Sequence, residues 1–151
     1  LFETGGDILT PENREKYKQL KIMDITQWLK EVVLPRIKVI RPKNRILLHP
    51  TCSCQIMGLT PVLLDIARKC AREVILPDNW GCCGASGDRG FIFPELSDSA
   101  TRDERDEIGH ESFDGCYSLA RTCEIAMQDH IEQPYESIVY LVDETIQDQG
   151  T

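Results

Sequence analysis

The sequence predicts an α/β fold, a small parallel sheet flanked by helices with a cysteine site at the carboxyl ends of the strands, and three observations carry that reading. Arg45-Ile46-Leu47-Leu48-His49 is a short apolar run after a Pro-Lys-Asn turn, the pattern of a strand buried on both faces. Pro61 then opens a helix whose Leu63, Leu64, Ile66, Ala67 and Cys70 supply one apolar side, and Glu73-Val74-Ile75-Leu76-Pro77 returns as a second strand. Cysteines follow both strands: Cys52 lies just past the first, and Cys82-Cys83 a few residues past the second. Loops beyond the carboxyl ends of parallel strands are where open α/β sheets build sites.

The remaining elements follow in chain order. Thr10-Pro11-Glu12 is a helix-start signal, and residues 12–20 are charged enough for an exposed helix. Lys21-Ile22-Met23 reads as a short strand. Asp24 is placed to cap a helix in which Ile25, Trp28, Leu29, Val32 and Val33 share one face, ended or kinked at Pro35. Downstream, residues 98–110, 114–133 and 136–146 each carry a helical pattern. Cys116 and Cys123, seven apart, then fall on one face of the second. The expected organisation is a single domain over 1–151, with a leading segment 1–20 and a core 21–147.

Composition narrows the class. A chain of 151 residues with 41% hydrophobic content builds a core without covalent staples, so seven cysteines exceed what folding requires. Their odd number and irregular spacing argue against a secreted disulfide scaffold and for a reducing, cytoplasmic setting. A formal charge of -8 with scattered basic residues disfavours nucleic acid as a partner. The longest apolar runs fall far short of the roughly 20 residues that span a bilayer. The chain opens on Leu1 without an initiator methionine, which leads us to expect a fragment of a larger polypeptide.

The chemistry concentrates in Gly81-Cys82-Cys83-Gly84, since adjacent thiolates at a tight turn ask for a metal or for redox work. With Cys52 upstream and Cys123 downstream, four soft ligands come from three segments, a donor set suited to an iron-sulfur cluster or to zinc. Neighbouring cysteines depart from the C-x-x-C knuckle of zinc ribbons and favour a cluster whose separate iron atoms accept adjacent residues. Structural zinc, thiol redox and inert buried thiols remain open alternatives. Gly81, Gly84, Gly87 and Gly90 let backbone approach the ligands and donate to sulfur. Arg89 either offsets the negative charge of the centre or pins the loop with Asp88, and Arg121 near Cys123 has the same two readings. Cys70 reads as core and Cys54 as a spare thiol or competing ligand. His49 before Pro50 reads as a capping residue more readily than as a proton carrier. His110 and His130 read as solvated, and the acidic run Asp103, Glu104, Asp106 and Glu107 as an exposed helical face.

His49-Pro50-Thr51-Cys52, Gly81-Cys82-Cys83-Gly84, Gly87-Asp88-Arg89-Gly90, Pro94-Glu95-Leu96 and Arg121-Thr122-Cys123-Glu124 together resemble the cysteine-rich CCG domain. The likeness runs from about Ile22 to Ile146. It is nearest to the second copy of that domain in fused FAD and iron-sulfur oxidoreductases of the bacterial D-lactate dehydrogenase and glycolate oxidase type, and it extends to the cysteine-rich subunit of heterodisulfide reductase. The resemblance implies that Cys52, Cys82, Cys83 and Cys123 are ligands of an iron-sulfur cluster, 4Fe-4S in type. It also implies that FAD and ferredoxin-like domains lie elsewhere in the same polypeptide, with quinone or a cytochrome as acceptor and peripheral association at the inner membrane for the parent enzyme. One departure stands out: Ala120 occupies the place where the family often carries the first cysteine of a closing C-x-x-C.

Overall fold

A computed structural model describes residues 8–146. The first helix, α1 (Pro11–Lys18), is capped by Thr10, buries none of its residues and carries Glu12–Lys16 and Glu15–Lys18 ion pairs on its exposed surface. Lys21-Ile22-Met23, expected as a strand, is irregular. Asp24 caps α2 (Ile25–Trp28) through the Thr26 amide in a reciprocal capping box with Gln27. That helix widens to π geometry over Leu29–Val33 and tightens to a 3-10 turn over Leu34–Arg36, with Pro35 inside the last turn. The change of winding spoils the expected single apolar face: Leu29 and Leu34 are buried, whereas Ile25 and Trp28 remain substantially exposed.

The centre of the molecule is a four-stranded, all-parallel sheet of β1 (Lys43–Leu48), β2 (Ala71–Ile75), β3 (Gly115–Ser118) and β4 (Tyr135–Ser137), in the order β2-β1-β3-β4. Between them run α3 (Cys52–Ile56), α4 (Thr60–Cys70), α5 (Arg89–Ile92), α6 (Pro94–Ile108) and α7 (Arg121–Ile131), and α8 (Ile138–Thr145) follows β4. The strand and helix expected around residues 45–77 are present, with Leu63, Ile66, Ala67 and Cys70 of α4 buried. The two patterns expected as uninterrupted helices over 114–133 and 136–146 each begin as a strand. Gly115–Ser118 and Tyr135–Ser137 are too short to show a period of two, so the helices that follow them dominate the pattern. Cys116 therefore lies on β3, and its expected helical register with Cys123 does not exist.

Strand periodicity divides the interior into two layers. Ile46, Leu48 and Tyr117 join Leu29, Leu63, Ile66, Ile138, Leu141 and Val142 on one face, while Leu47, Cys116 and Tyr135 join Ile108, Met127, Ile131, Cys83 and Cys123 on the other. Helices thus cover both faces, as a parallel sheet requires. The chain leaves β1 toward β2 on one side and reaches β3 on the other, so the strand order reverses between β1 and β3. Their carboxyl ends border the crevice of a topological switch point.

Two carboxylates tie loops to this frame. Asp114 accepts from the amides of Asn44 and Arg45 at the start of β1, and Glu107 accepts from those of Asp78 and Asn79 in the loop that leads to Cys82. The Asn79 and Asp78 amides hold the Glu107 carboxyl below its ordinary pKa. A group depressed in this way contributes stability above its unfolded pKa, about 4.3 for Glu, and loses it as pH falls through the folded value. Glu107→Gln is therefore expected to lower the urea midpoint at neutral pH and to converge with the parent chain in acid. A gap of constant size across that range would show that the charge plays no part.

Candidate functional site

Three segments carry the four expected ligand cysteines to the strand-end crevice, with Cys83 and Cys123 in sulfur contact and Cys52 and Cys82 within electrostatic range of them. Thr51 ends the β1 loop with extended backbone and caps the short α3 through the Cys54 amide, which leaves Cys52 exposed at the helix start. Cys123 lies in the first turn of α7, where no side chain caps the helix and the free N–H groups favour neighbouring negative charge. Cys82 and Cys83 hang from the loop after β2, Cys82 exposed and Cys83 buried. Gly84 turns that loop with φ 74°, and its amide donates to Cys82 Sγ at 3.4 Å.

The sulfurs of Cys83 and Cys123 share a hydrogen bond at 3.0 Å inside the apolar layer beneath α6 and α7. That bond favours thiolate at Cys83 and thiol at Cys123. The Cys83 pKa falls because of Cys123 first, against burial, with the Ala85 amide and the charge of His49 helping. The Cys123 pKa rises through Cys83, burial and the charges of Cys52 and Cys82. Cys82 is pulled down by the Gly84 amide, but burial together with Cys83 and Cys52 outweighs it and the net shift is upward. Cys52, Cys82 and Cys83 thus all bear on Cys123, and Cys52 and Cys83 on Cys82.

The other thiols stand apart. Cys116 is buried on β3, where desolvation alone pushes its pKa up to about 12. Cys54 is buried in the opposite layer, within reach of Thr60, and Cys70 packs in that same layer. Gly81 has open space around it, and Arg89 begins α5 on the exposed surface. The leading influences on Cys82 and Cys83 do not include the Arg89 charge. Arg121 pairs with Glu124 at 3.1 Å.

The donor chemistry suits a soft metal centre, four thiols from three segments. It does not form a closed single-ion cage: among the described residues no group of three or more His, Cys, Asp or Glu side chains is gathered to hold one metal ion. Four sulfurs at about 2.3 Å from a tetrahedral zinc would lie about 3.8 Å apart, and the Cys83–Cys123 contact is tighter than that. Either kind of centre requires these two sulfurs to separate.

The acidic run conceals a residue that its spacing assigns to solvent. Glu104 is buried against His49, with its two carboxylate oxygens 3.2 and 3.0 Å from Nδ1. The signal lay in the sequence, because positions 97, 101, 104 and 108 share the inward stripe of α6. His49 does not cap the strand end with its side chain, which faces Glu104; its backbone amide continues the β1–β3 ladder to Tyr117, and its carbonyl accepts from Ser118 Oγ. His110 is exposed as expected, whereas His130 is largely covered and lies 3.9 Å from Asp98. Among the described residues no helix is long and apolar enough to cross a membrane. No protein-family model matches this chain, and no curated protein matches it.

Proposed function

We propose that this chain is an iron-sulfur-binding, electron-transfer domain of an FAD-dependent 2-hydroxy acid oxidoreductase of the D-lactate or glycolate type, passing electrons from flavin toward quinone or a cytochrome. The observation that supports the reading is the convergence of Cys52, Cys82, Cys83 and Cys123, from three segments, at the strand-end crevice between β1 and β3. A cluster bound there supplies one-electron exchange. The chain supplies two buried thiols, Cys83 and Cys123, which shelter one side from water. It also supplies two exposed thiols, Cys52 and Cys82, which leave the other side open to a partner. The flavin and ferredoxin-like domains belong to the rest of the polypeptide, with a cytoplasmic location and peripheral contact with the inner membrane.

The 3.0 Å contact between two buried sulfurs favours a second reading, a structural or assembly module in which buried thiols, or zinc once these sulfurs part, support the fold without redox turnover. Anaerobic reconstitution with ferrous iron and sulfide separates the two. The first reading expects broad visible charge-transfer absorption that bleaches on reduction, with iron and inorganic sulfide retained together after gel filtration. A colourless chain that instead retains stoichiometric zinc, and melts when the zinc is chelated, overturns it.

A further inference from the structure

Two buried thiols of this molecule sit closer together than a tetrahedral metal centre allows. The Cys83 and Cys123 sulfurs are 3.0 Å apart across 40 positions of chain, whereas zinc would spread them to about 3.8 Å. A disulfide demands the opposite movement, an approach of about 1 Å to a bond of about 2.05 Å. The contact therefore lies between two outcomes that exclude each other.

Packing, not loop slack, sets this contact. On the Cys83 side, Gly84 lies so near α6 that a Cβ there would fall 2.7 Å from the Ser97 Cα. The next residue, Ala85, is buried in the same apolar layer, and its carbonyl accepts from the Gly90 amide at 2.8 Å. On the other side, Cys123 belongs to the first turn of α7, whose Ala126 and Met127 are buried one turn further on. Both backbones are thus held with their sulfurs facing. Neither residue is sealed, with 4% of Cys83 and 7% of Cys123 exposed, and a peroxide is scarcely larger than the water that reaches such surface.

We infer that Cys83 and Cys123 form a reversible disulfide when no centre holds their sulfurs apart, with hydrogen peroxide as oxidant, and that this bond is a redox switch on metal uptake. One sulfur attacks a peroxide oxygen, the O–O bond breaks, and a sulfenic acid and one water form. The second sulfur attacks the first, the S–S bond forms, and the sulfenic oxygen leaves as a second water with the remaining thiol proton. The two thiols lose two electrons and the peroxide gains both. A thiol reductant restores the pair by exchange through a mixed disulfide. The chemistry stands on the sulfur contact alone, while its consequence rests on the thiolate-centre reading above: two of the four candidate ligands are withdrawn together and kept from irreversible oxidation to the sulfinic acid.

Two measurements test this. The metal-free, fully reduced chain is treated with one equivalent of hydrogen peroxide, quenched in denaturant with an alkylating agent, and mapped by mass spectrometry. A Cys83–Cys123 cross-link is expected, with the other five of the seven cysteines alkylated. Access alone favours a different answer, since Cys52 and Cys82 are the exposed thiols near the site. A cross-link between those two, a Cys82–Cys83 bond, sulfinic acid at Cys83, or seven alkylated cysteines overturns the inference. Cadmium, a soft ion added alone, then reads the consequence through its thiolate absorption in the ultraviolet. The oxidised chain should bind it at least about tenfold more weakly than the reduced chain, because even changes one shell beyond a ligand cost that much, and dithiothreitol followed by its removal should restore binding. Equal cadmium affinity before and after cross-linking overturns the switch. A reduced chain that binds neither cadmium nor a reconstituted cluster overturns the electron-transfer reading instead, and the cross-link map still decides the pairing.

Discussion

Cys83→Ser and Cys123→Ser are expected to cut iron and sulfide retention after reconstitution by more than about tenfold, since changes even one shell beyond a metal ligand cost about 10–100-fold. A serine oxygen is a hard ligand in place of a soft thiolate, and both positions lie in the buried half of the site, packed within the apolar layer. Cys54→Ala, Cys70→Ala and Cys116→Ala should all keep the cluster. Each of these thiols packs in the interior, and removing a small buried group costs about 1 kcal/mol. Cys116 is the sharpest control because it belongs to the same layer as Cys83 and Cys123, yet sits on a strand with its thiol desolvated. Iron lost with Cys116 but retained without Cys123 would sink the four-ligand assignment.

The parts of this fold legible in the sequence are those where a strand or helix is long enough to show its period. Ile46, Leu47 and Leu48 announce β1, and Leu63, Ile66, Ala67 and Cys70 announce the buried side of α4. β3 and β4 escape because their inward residues are mixed in chemistry: Cys116, Tyr117 and Ser118 carry no common apolar label, and Tyr135 stands in a three-residue strand. Their burial is imposed by the neighbouring strand rather than by their own pattern. The site is legible in a different way. Cysteine spacing singles out four thiols as candidates, and the strand-end rule places two of the three segments. The pairing of Cys83 with Cys123 depends on β3 entering between β1 and β4, which no local pattern states. Glu104 escapes for a related reason, since charge outweighs stripe position when a helix is read alone.

Gly84→Ala is expected to be the most damaging glycine-to-alanine change among the described residues. A Cβ at this position would lie 2.6 Å from the Leu96 carbonyl oxygen and 2.7 Å from the Ser97 Cα, backbone atoms of α6 that cannot turn aside as a flexible side chain would. The residue also occupies left-handed backbone, with φ 74°. Strain of that kind and overpacking together amount to about 2–5 kcal/mol. The loop can relieve the clash only by lifting from α6. That movement displaces the Gly84 amide from the Cys82 sulfur and shifts Cys83, one residue away, relative to Cys123. Stability and cluster uptake should therefore fall together. Gly87→Ala separates the two causes, because its φ of 76° is equally left-handed but nothing lies within 4 Å of the added methyl. It should lose only the conformational cost, about 1–2 kcal/mol, and retain iron. Urea midpoints and iron content measured on both variants check this. Equal losses at the two glycines would mean that backbone conformation alone governs the loop, and that close packing against α6 does not hold the cysteine pair in place.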